Sequence, residues 1–288
     1  MQKKILIIGS GGFIGKHAVQ AFLKKKNVEI FEGSKFNIDI NSILSFKKAF
    51  NKIKPDIVIN LAAFSHLDNS SLNNIFKLNC FSVIDIVDFL ISNNFEGRFI
   101  NTSSALVYGS KTHGVLKESM LLEPEHSYAV AKAAVDNLFK IIQSDLQATS
   151  VRPFNCIGVG HRADYVVPKI IDHFQKKKQV IELGDIYAKR DFVDVRDVGE
   201  MYTFCSQIEG PVPAINFCSG KATSIETLVK LLEEISSHQI KIKVNEKYIR
   251  KIDSKNMKGD NSIIKSLGFC YNHKIRDTLK WVYDNKIN

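Results

Sequence analysis

Apolar and polar positions alternate along the first half of the chain in a pattern that predicts strands followed by helices. Short apolar runs, which are typical of buried strands, are separated by longer segments with apolar residues three and four positions apart. The predicted strands cover 4–8, 28–31, 56–60, 98–102 and a segment ending near Val151, and the predicted helices cover 14–25, 42–52, 72–91 and 127–144. Continuous apolar strands that alternate with helices are typical of a parallel sheet buried on both faces. The pattern therefore predicts an α/β fold with a parallel sheet between two layers of helices.

The pattern is less regular in the second half of the chain. The predicted elements there are helices over 166–177, 223–236 and 277–284 and a strand over 240–244. We expect one domain over 1–154, with 188–207 returning to it, and a smaller lobe formed mainly by 155–288. We expect this lobe to pack on the carboxyl edge of the sheet, where open α/β sheets form their ligand crevice.

Composition adds constraints on location and size. The 288 residues are 44% hydrophobic, which is enough for a substantial core. No apolar run approaches the roughly 20 residues of a membrane span, and the run 5–8 is too short for a secretory signal. The five cysteines are an odd number without a CxxC pair, which favours free thiols in a reducing compartment. We therefore predict a cytoplasmic protein with no membrane partner and no metal site.

The formal net charge of +10 is compatible with a nucleic acid, with an anionic small molecule or with a simple lysine-rich bias. The lysines occur in small groups such as 24–26 and 176–178, which are typical of solvated helix ends. Aromatic residues are not interleaved with them as on a nucleic-acid platform. We therefore predict no nucleic-acid partner.

A glycine-rich turn joins the first predicted strand to the first predicted helix. Such a turn lets the backbone approach a pyrophosphate closely, and the helix N-terminus adds N–H donors and a partial positive charge. Its spacing is GxxGxxG rather than GxGxxG, and it predicts a Rossmann-type site for a dinucleotide cofactor. The cofactor-binding residues predicted here are Gly9, Gly12, Phe13, Ile14 and Gly15.

The residues after the second predicted strand leave the choice of dinucleotide open. Glu32 would accept hydrogen bonds from the adenosine ribose and so favour NAD. Ser34 and Lys35 follow directly, and they would suit the 2′-phosphate of NADP. Asp39 and Ile40 lie further on, where an acid can bond the adenine amino group. The cofactor is therefore predicted to be NAD or NADP.

A tyrosine and a lysine lie four residues apart on the predicted helix 127–144, so their side chains share one face. These residues are Tyr128 and Lys132. The lysine ammonium is expected to favour the phenolate and to lower the tyrosine pKa towards neutrality. Ser104 follows the fourth strand at the same sheet edge and can bond a reacting carbonyl or hydroxyl oxygen. We predict that Ser104, Tyr128 and Lys132 are catalytic.

Taken together, these motifs resemble the extended short-chain dehydrogenases/reductases of the NAD-dependent epimerase/dehydratase type. The matching segments, in chain order, are Gly9-xx-Gly12-xx-Gly15, Asn60-Leu61-Ala62-Ala63, Ser103-Ser104-xx-Val107-Tyr108-Gly109, Tyr128-xxx-Lys132, Arg152-Pro153-Phe154-Asn155, Arg190-Asp191-Phe192-Val193-Asp194 and Arg250-xx-Asp253. Segments 152–160, 164–167 and 189–198 look like those of GDP-4-keto-6-deoxymannose reductases.

The resemblance implies hydride transfer at a sugar carbon, usually C4, of a nucleotide-activated sugar. Tyr128 would be the acid/base, Ser104 its partner, and Lys132 the residue that holds the nicotinamide ribose. Leu61, Ala62 and Ala63 would line the cofactor. The resemblance also implies a set of residues that bind the nucleotide-diphosphate sugar, namely Ser65, Ser104, Asn155, Arg190 and Arg250.

The residues beside Ser104 narrow the reaction. Dehydratases of the family place an Asp-Glu pair directly after the catalytic hydroxyl residue, and here Ala105 and Leu106 cannot transfer protons. Leu106 also stands where GDP-fucose synthases have a cysteine for epimerisation. The favoured prediction is reduction of the C4 keto group of a GDP- or dTDP-linked 4-keto-6-deoxyhexose. The alternative is a nucleotide-sugar 4-epimerase, and a non-catalytic NAD(P)-sensing regulator is less favoured.

The family resemblance also implies a homodimer. Members commonly pair through two long helices per subunit that form a four-helix bundle. The corresponding segments here are 72–91 and 127–144.

Overall fold

A computed structural model describes residues 2–63, 71–110, 114–249 and 256–285, and its centre is a six-stranded parallel sheet. The strands in chain order are β1 (Lys3–Ile8), β2 (Val28–Glu32), β3 (Ile57–Asn60), β4 (Arg98–Thr102), β5 (Val115–Leu116), β6 (Gln147–Pro153), β7 (Asn155–Ile157), β8 (Val180–Leu183), β9 (Lys189–Asp194), β10 (Ala214–Phe217), β11 (Ala222–Ser224), β12 (Lys241–Val244) and β13 (Asn256–Gly259). The central sheet has the order β10-β6-β4-β3-β1-β2.

Helices cover both faces of this sheet. They are α1 (Phe13–Leu23), α2 (Ile43–Ile53), α3 (Leu72–Phe76), α4 (Ser82–Ser92), α5 (Ser127–Ile141), α6 (Val166–Gln175), α7 (Val195–Cys205), α8 (Ile225–Ser236), α9 (Ser262–Ser266) and α10 (Ile275–Asp284). Short 3₁₀ turns cover Gly33–Phe36, Ala105–Tyr108, Ile142–Ser144 and Glu246–Tyr248. None of the helices in the described ranges has the length and apolar character that a membrane crossing requires.

Two apolar cores lie on the two faces of the sheet, as the sequence predicted. Alternate residues of β1 point to opposite sides, so Leu6 packs with α2, α4 and α5, while Ile5 packs with α1 and α7. A third core joins α6, α8 and α10 in the smaller lobe. The predicted doubly wound α/β fold with a smaller C-terminal lobe is therefore confirmed.

The predicted long helix 72–91 is interrupted by one wide turn. A π-helical segment, Lys77–Phe81, lies between α3 and α4. The Asn79 side chain donates to the Ile75 carbonyl at 3.0 Å, and Ser82 Oγ donates to the Lys77 carbonyl at 2.8 Å. Side chains thus bond to backbone carbonyls of the widened turn. The apolar spacing did not reveal this bulge, because one extra residue changes the helical period only locally.

The second half contains strands that the sequence pattern did not predict. β9 forms the second sheet with β11, β13 and β5, and β7 pairs with β9. α7 packs on α1, and β10 closes one edge of the central sheet. The predicted domain boundaries stay a prediction. Within segment 188–207, β9 lies in the smaller sheet, whereas α7 packs against α1 beside the central sheet. Apart from β9, these strands have two to four residues, which is too few to show a clear alternation.

The amino edge of the central sheet is closed by Arg98, which is 5% exposed. Its guanidinium donates to Thr149 Oγ1 at 3.0 Å and to Gln147 Oε1 at 3.2 Å, and also to the carbonyls of Ile208 and Gly210 at 2.8 and 2.7 Å. An open groove of about 680 Å³ lies at this edge. Arg98 therefore ties β4 to β6 and to the loop before β10.

Candidate active site

The glycine turn between β1 and α1 is built by backbone contacts that exclude side chains. Gly9 has φ +76°, and a Cβ there would lie 2.4 Å from the Ala62 nitrogen. A Cβ at Gly15 would lie 2.2 Å from the Gly9 carbonyl oxygen. Gly12 begins α1 and brings no side chain to cap the helix. The amino end of α1 therefore suits a pyrophosphate, as predicted for Gly9, Gly12, Phe13, Ile14 and Gly15.

The groups that could select between NAD and NADP lie at the end of β2. Glu32 is one-quarter exposed and pairs with Lys35. Ser34 Oγ lies 3.0 Å from Ser10 Oγ of the glycine turn. The acid that would accept a ribose hydroxyl and the lysine that would meet a 2′-phosphate thus neutralise each other. This pairing is consistent with either NAD or NADP.

Asp39 and Ile40 lie just beyond this corner. One carboxylate oxygen of Asp39 accepts from the Asn41 backbone N–H at 2.9 Å and from its side chain at 3.2 Å, which organises the turn before α2. Ile40 packs against the first core. These contacts show how the turn forms, while the role at the adenine stays a prediction.

The loop after β3 lies directly against the glycine turn. Leu61 N–H donates to the Ile8 carbonyl at 2.9 Å, and Asn60 Oδ1 accepts from Ala62 N–H at 3.1 Å. Leu61 and Ala62 are half-buried and Ala63 is exposed. The three residues therefore flank the predicted cofactor site. Ser65 lies outside the described residues.

Lys132 is fully buried at the carboxyl end of β4. Its Nζ donates to the Thr102 carbonyl at 2.8 Å, and Thr102 Oγ1 lies 2.7 Å from the Tyr202 hydroxyl. Burial lowers the pKa of Lys132 to about 8, while the charge of Asp136 opposes this change. The ammonium is thus anchored to the end of a central strand and titrates near neutral pH.

Tyr128 lies one turn before Lys132 on α5 and is 7% exposed. The Ser104 hydroxyl lies close enough to lower the pKa of Tyr128, and Ser104 Oγ accepts from the Leu106 backbone N–H at 3.2 Å. The structure therefore brings together Ser104, Tyr128 and Lys132 at one sheet edge.

The expectation that the Lys132 ammonium lowers the pKa of Tyr128 towards neutrality is wrong. Burial raises the pKa of Tyr128, and the nearby Ser104 hydroxyl only partly opposes this change. The Lys132 ammonium lies 5.9 Å from the Tyr128 ring centroid and donates to Thr102 instead. Tyr128 is consequently a neutral phenol that can donate a proton.

A row of three aromatic rings extends from the glycine turn. The Phe13 and His161 rings are stacked with centroids 4.5 Å apart, and His161 and Tyr165 are 4.4 Å apart. Burial lowers the pKa of His161 to about 4, so this ring is neutral. Sequence analysis missed the stack, because its members are far apart in the chain.

The predicted diphosphate-binding residues lie on neighbouring strands of the smaller lobe. Asn155 on β7 donates to the Asp191 carbonyl on β9 at 3.1 Å, and Arg190 Nη1 donates to the Lys189 carbonyl at 2.8 Å. Arg250 lies outside the described residues. The structure thus brings Asn155 and Arg190 to the same strand pair.

The Asp191 side chain, which sequence analysis did not select, organises this side of the site. It is fully buried and accepts hydrogen bonds from Ser219, Gly220 and Gly259. These bonds hold the β10–β11 connection and β13 against β9. The sequence gives no distinct signal for this role, because Asp191 is one of four charged residues among the six of β9.

These contacts define what the site can do. The glycine turn offers backbone N–H groups to a cofactor. The surrounding backbone leaves no room for a side chain at Gly9 or Gly15. A neutral phenol, a serine hydroxyl and a titratable ammonium meet at the end of β4. The described residues contain no group of three or more His, Cys, Asp or Glu side chains arranged for a metal. The arrangement therefore suits proton donation to an oxygen beside a bound nicotinamide.

A family model described as the NAD dependent epimerase/dehydratase family matches residues 5–216. The chain belongs to this family. Its cofactor is accordingly NAD or NADP, and the predicted resemblance is confirmed.

Individual members of the epimerase/dehydratase family match almost the whole chain. It is 31% identical to GDP-6-deoxy-D-talose 4-dehydrogenase of Aggregatibacter actinomycetemcomitans, over 99% of this chain and 98% of that one. It is 26% identical to GDP-6-deoxy-D-mannose reductase of Pseudomonas aeruginosa, over 98% of this chain and 92% of that one.

Solved structures of the family share the fold. The structure of RMD from Pseudomonas aeruginosa complexed with NADPH superposes with a TM-score of 0.87 at 24% identity, with 98% of each chain covered. The Thermus thermophilus UDP-glucose 4-epimerase complex with NAD gives 0.83 at 19% identity, again with 98% of each chain covered.

Proposed function

We propose that this protein reduces the C4 keto group of a GDP-linked 4-keto-6-deoxyhexose with NADH or NADPH. The observation that carries the proposal is that Ser104, Tyr128 and the buried Lys132 lie together at the carboxyl end of β4. Two relatives that cover nearly the whole chain support the substrate class, since both names describe GDP-linked 6-deoxysugars.

The site residues have distinct tasks in this reaction. A bound nicotinamide supplies the hydride. The Tyr128 hydroxyl donates its proton to the C4 oxygen, and the Ser104 hydroxyl bonds the same oxygen and stabilises its developing charge. Lys132 holds the ribose of the cofactor and keeps a positive charge beside the phenolate that forms. Ala105 and Leu106 follow Ser104 and offer no group for proton transfer at a neighbouring sugar carbon.

The smaller lobe would hold the nucleotide. Arg190 suits diphosphate oxygens because a guanidinium can make two parallel hydrogen bonds. Asn155 contributes from the neighbouring strand, where its amide bonds the backbone of β9. Ser65 and Arg250 complete the proposed set of residues that bind the substrate.

The direct test is oxidation of NADH or NADPH, followed by absorbance at 340 nm, with a GDP-linked 4-keto-6-deoxyhexose. We expect cofactor oxidation in step with formation of a GDP-linked 6-deoxyhexose, and a loss of turnover in Ser104→Ala. The matching dTDP-linked sugar serves as the control for the nucleotide. If neither cofactor is oxidised with either sugar, the proposal fails. Interconversion of a nucleotide sugar without net cofactor oxidation would favour a 4-epimerase instead.

We further propose that two copies pair through the helices of segments 72–91 and 127–144. Exposed apolar residues mark one face of this pair: Phe81 is 56% exposed, Val130 39% and Ile141 77%. α3 and the following π-helical turn pack against α5, which supports placing these residues on one surface. An area of this kind is typical of a protein interface.

Sedimentation analysis tests the pairing. We expect a dimer for the unaltered protein and a monomer for the double variant Phe81→Glu/Ile141→Glu. Leu23→Glu, at an apolar residue that is 62% exposed on α1, is the matched control and should leave the dimer intact. A monomer at all concentrations of the unaltered protein would contradict the proposal.

A further inference from the structure

The catalytic helix carries a third polar residue on the face of Tyr128 and Lys132. Asp136 follows Lys132 by four residues, so the three side chains are stacked along one side of α5. Asp136 is 1% exposed and Lys132 is fully buried. A carboxylate in such a place costs free energy unless it is paired, and its position therefore calls for an explanation.

Asp136 is held by a buried arginine on β6. Arg152 Nε donates to Asp136 Oδ2 at 2.7 Å, and both side chains are completely buried. Arg152 Nη1 donates to the Tyr108 hydroxyl at 2.8 Å and to the Glu118 carbonyl at 3.3 Å. The Tyr108 hydroxyl donates to Asn216 Oδ1 at 2.7 Å. This chain of bonds fixes the carboxylate relative to β6 and β10.

The ion pair uses only one of the two carboxylate oxygens. Among the described residues, the buried Oδ1 of Asp136 has no hydrogen-bond partner. Its negative charge acts on the Lys132 ammonium through space and opposes the fall in the pKa of Lys132 that burial causes. Cys80, on the π-helical turn packed against α5, is the other titratable group that acts on Lys132. The thiol is neutral because burial raises its pKa.

We propose that Asp136 is a positioning residue whose carboxylate, held by Arg152, keeps the Lys132 ammonium charged for binding the cofactor ribose. The inference rests on the role of Lys132 in the proposed function and extends it to a residue that touches neither substrate nor cofactor. An ammonium that lost its proton would lose donors to ribose hydroxyls and its charge beside Tyr128.

The test is the affinity for NADPH, measured by calorimetry from pH 6 to 10. For the unaltered protein, affinity should fall as the pH rises through about 8, the pKa of Lys132. In Asp136→Asn the midpoint should move down by about one pH unit, which weakens binding by up to about tenfold near pH 8. Tyr108→Phe is the matched control, since it removes a bond from the same buried network and keeps the carboxylate. Its midpoint should not move.

Asp136→Asn leaves Arg152 buried without its partner and risks misfolding. The double variant Asp136→Asn/Arg152→Met removes both charges and should show the same downward shift. An unchanged midpoint in the folded double variant, or an equal shift in Tyr108→Phe, overturns the inference. Because cofactor binding needs no sugar, this failure is distinct from failure of the proposed reductase activity, which the sugar assay reports.

Discussion

Strand β4 has a buried cation at each end, and the two are held in opposite ways. At the amino end, Arg98 donates to four acceptors on β6 and the loop before β10. At the carboxyl end, Lys132 donates to a single acceptor within the described chain, the Thr102 carbonyl. The guanidinium is used for structure, whereas the ammonium has donors left for a ligand.

The surroundings of the two cations show the same contrast between a structural arginine and a lysine with donors left for a ligand. The groove at the Arg98 end is open and large, at about 680 Å³. The Arg98 guanidinium nevertheless already donates to four acceptors of the protein. The Lys132 end combines a lowered pKa with a neighbouring phenol and serine. A depression in the surface is therefore a weaker sign of function here than a buried charge with incomplete bonding.

The largest expected effect is at the carboxyl end. Tyr128→Phe removes the proton donor and keeps the ring in its packed place. We expect kcat with the keto sugar to fall by about 10²- to 10⁴-fold. NADPH affinity and the melting temperature should change little, and calorimetry and thermal unfolding check both. Full turnover in this variant would contradict the assignment of Tyr128.

The amino end should respond with stability rather than activity. Arg98→Met leaves buried acceptors on β6 without a donor, and we expect the free energy of unfolding to fall by about 3 kcal/mol. Urea unfolding measures this loss. Arg276→Met is the control, because that arginine is half-exposed in a surface ion pair worth less than about 1 kcal/mol. A fall in kcat per folded Arg98→Met molecule would undermine the contrast between the two ends.

Lys132→Met should weaken cofactor binding more than it lowers stability, which is the reverse of Arg98→Met. We expect NADPH affinity to drop by about 10- to 100-fold, since hydrogen bonds to a charged donor are lost. The free energy of unfolding should not fall by more than about 1 kcal/mol, because a buried charge is removed along with its bond to Thr102. A large loss of stability with unchanged binding would make Lys132 a structural cation like Arg98.

The fourth effect is a slope in stability with pH. The pKa of Lys132 is about 8 in the folded protein and 10.5 ordinarily, so the unfolded chain binds more protons between these values. Stability of the unaltered protein relative to Lys132→Met should therefore rise with pH across this window, while cofactor binding falls. Paired unfolding curves at pH 8 and 10 measure the difference. Identical pH dependence in the two proteins would mean that Lys132 is not the titrating group.

The carboxyl edge was predictable from sequence because its parts are local. The glycine turn follows a strand directly, and Tyr128 and Lys132 are one helical turn apart. Apolar periodicity placed most elements of the central sheet within a few residues. The pKa direction of Tyr128 was not predictable, since it depends on burial by segments distant in the chain.

The substrate side was harder to predict for a physical reason. β7, β9 and β13 pair with one another across long sequence distances, so no local periodic pattern predicts them. The position of Asp136 one helical turn after Lys132 could have been recognised from the sequence alone. Its partner on β6 was identifiable only once the fold brought the two elements together.

The buried carboxylate of Asp191 has a consequence for synthesis of the chain. Its donors come from Ser219, Gly220 and Gly259, all of which emerge from the ribosome after it does. The glycine turn and the Tyr128 helix are complete much earlier. A nascent chain can thus form its glycine turn while the side of the site built on β9 waits for a residue within the last 30 of the 288. A product shortened before Gly259 should retain the first and lack the second.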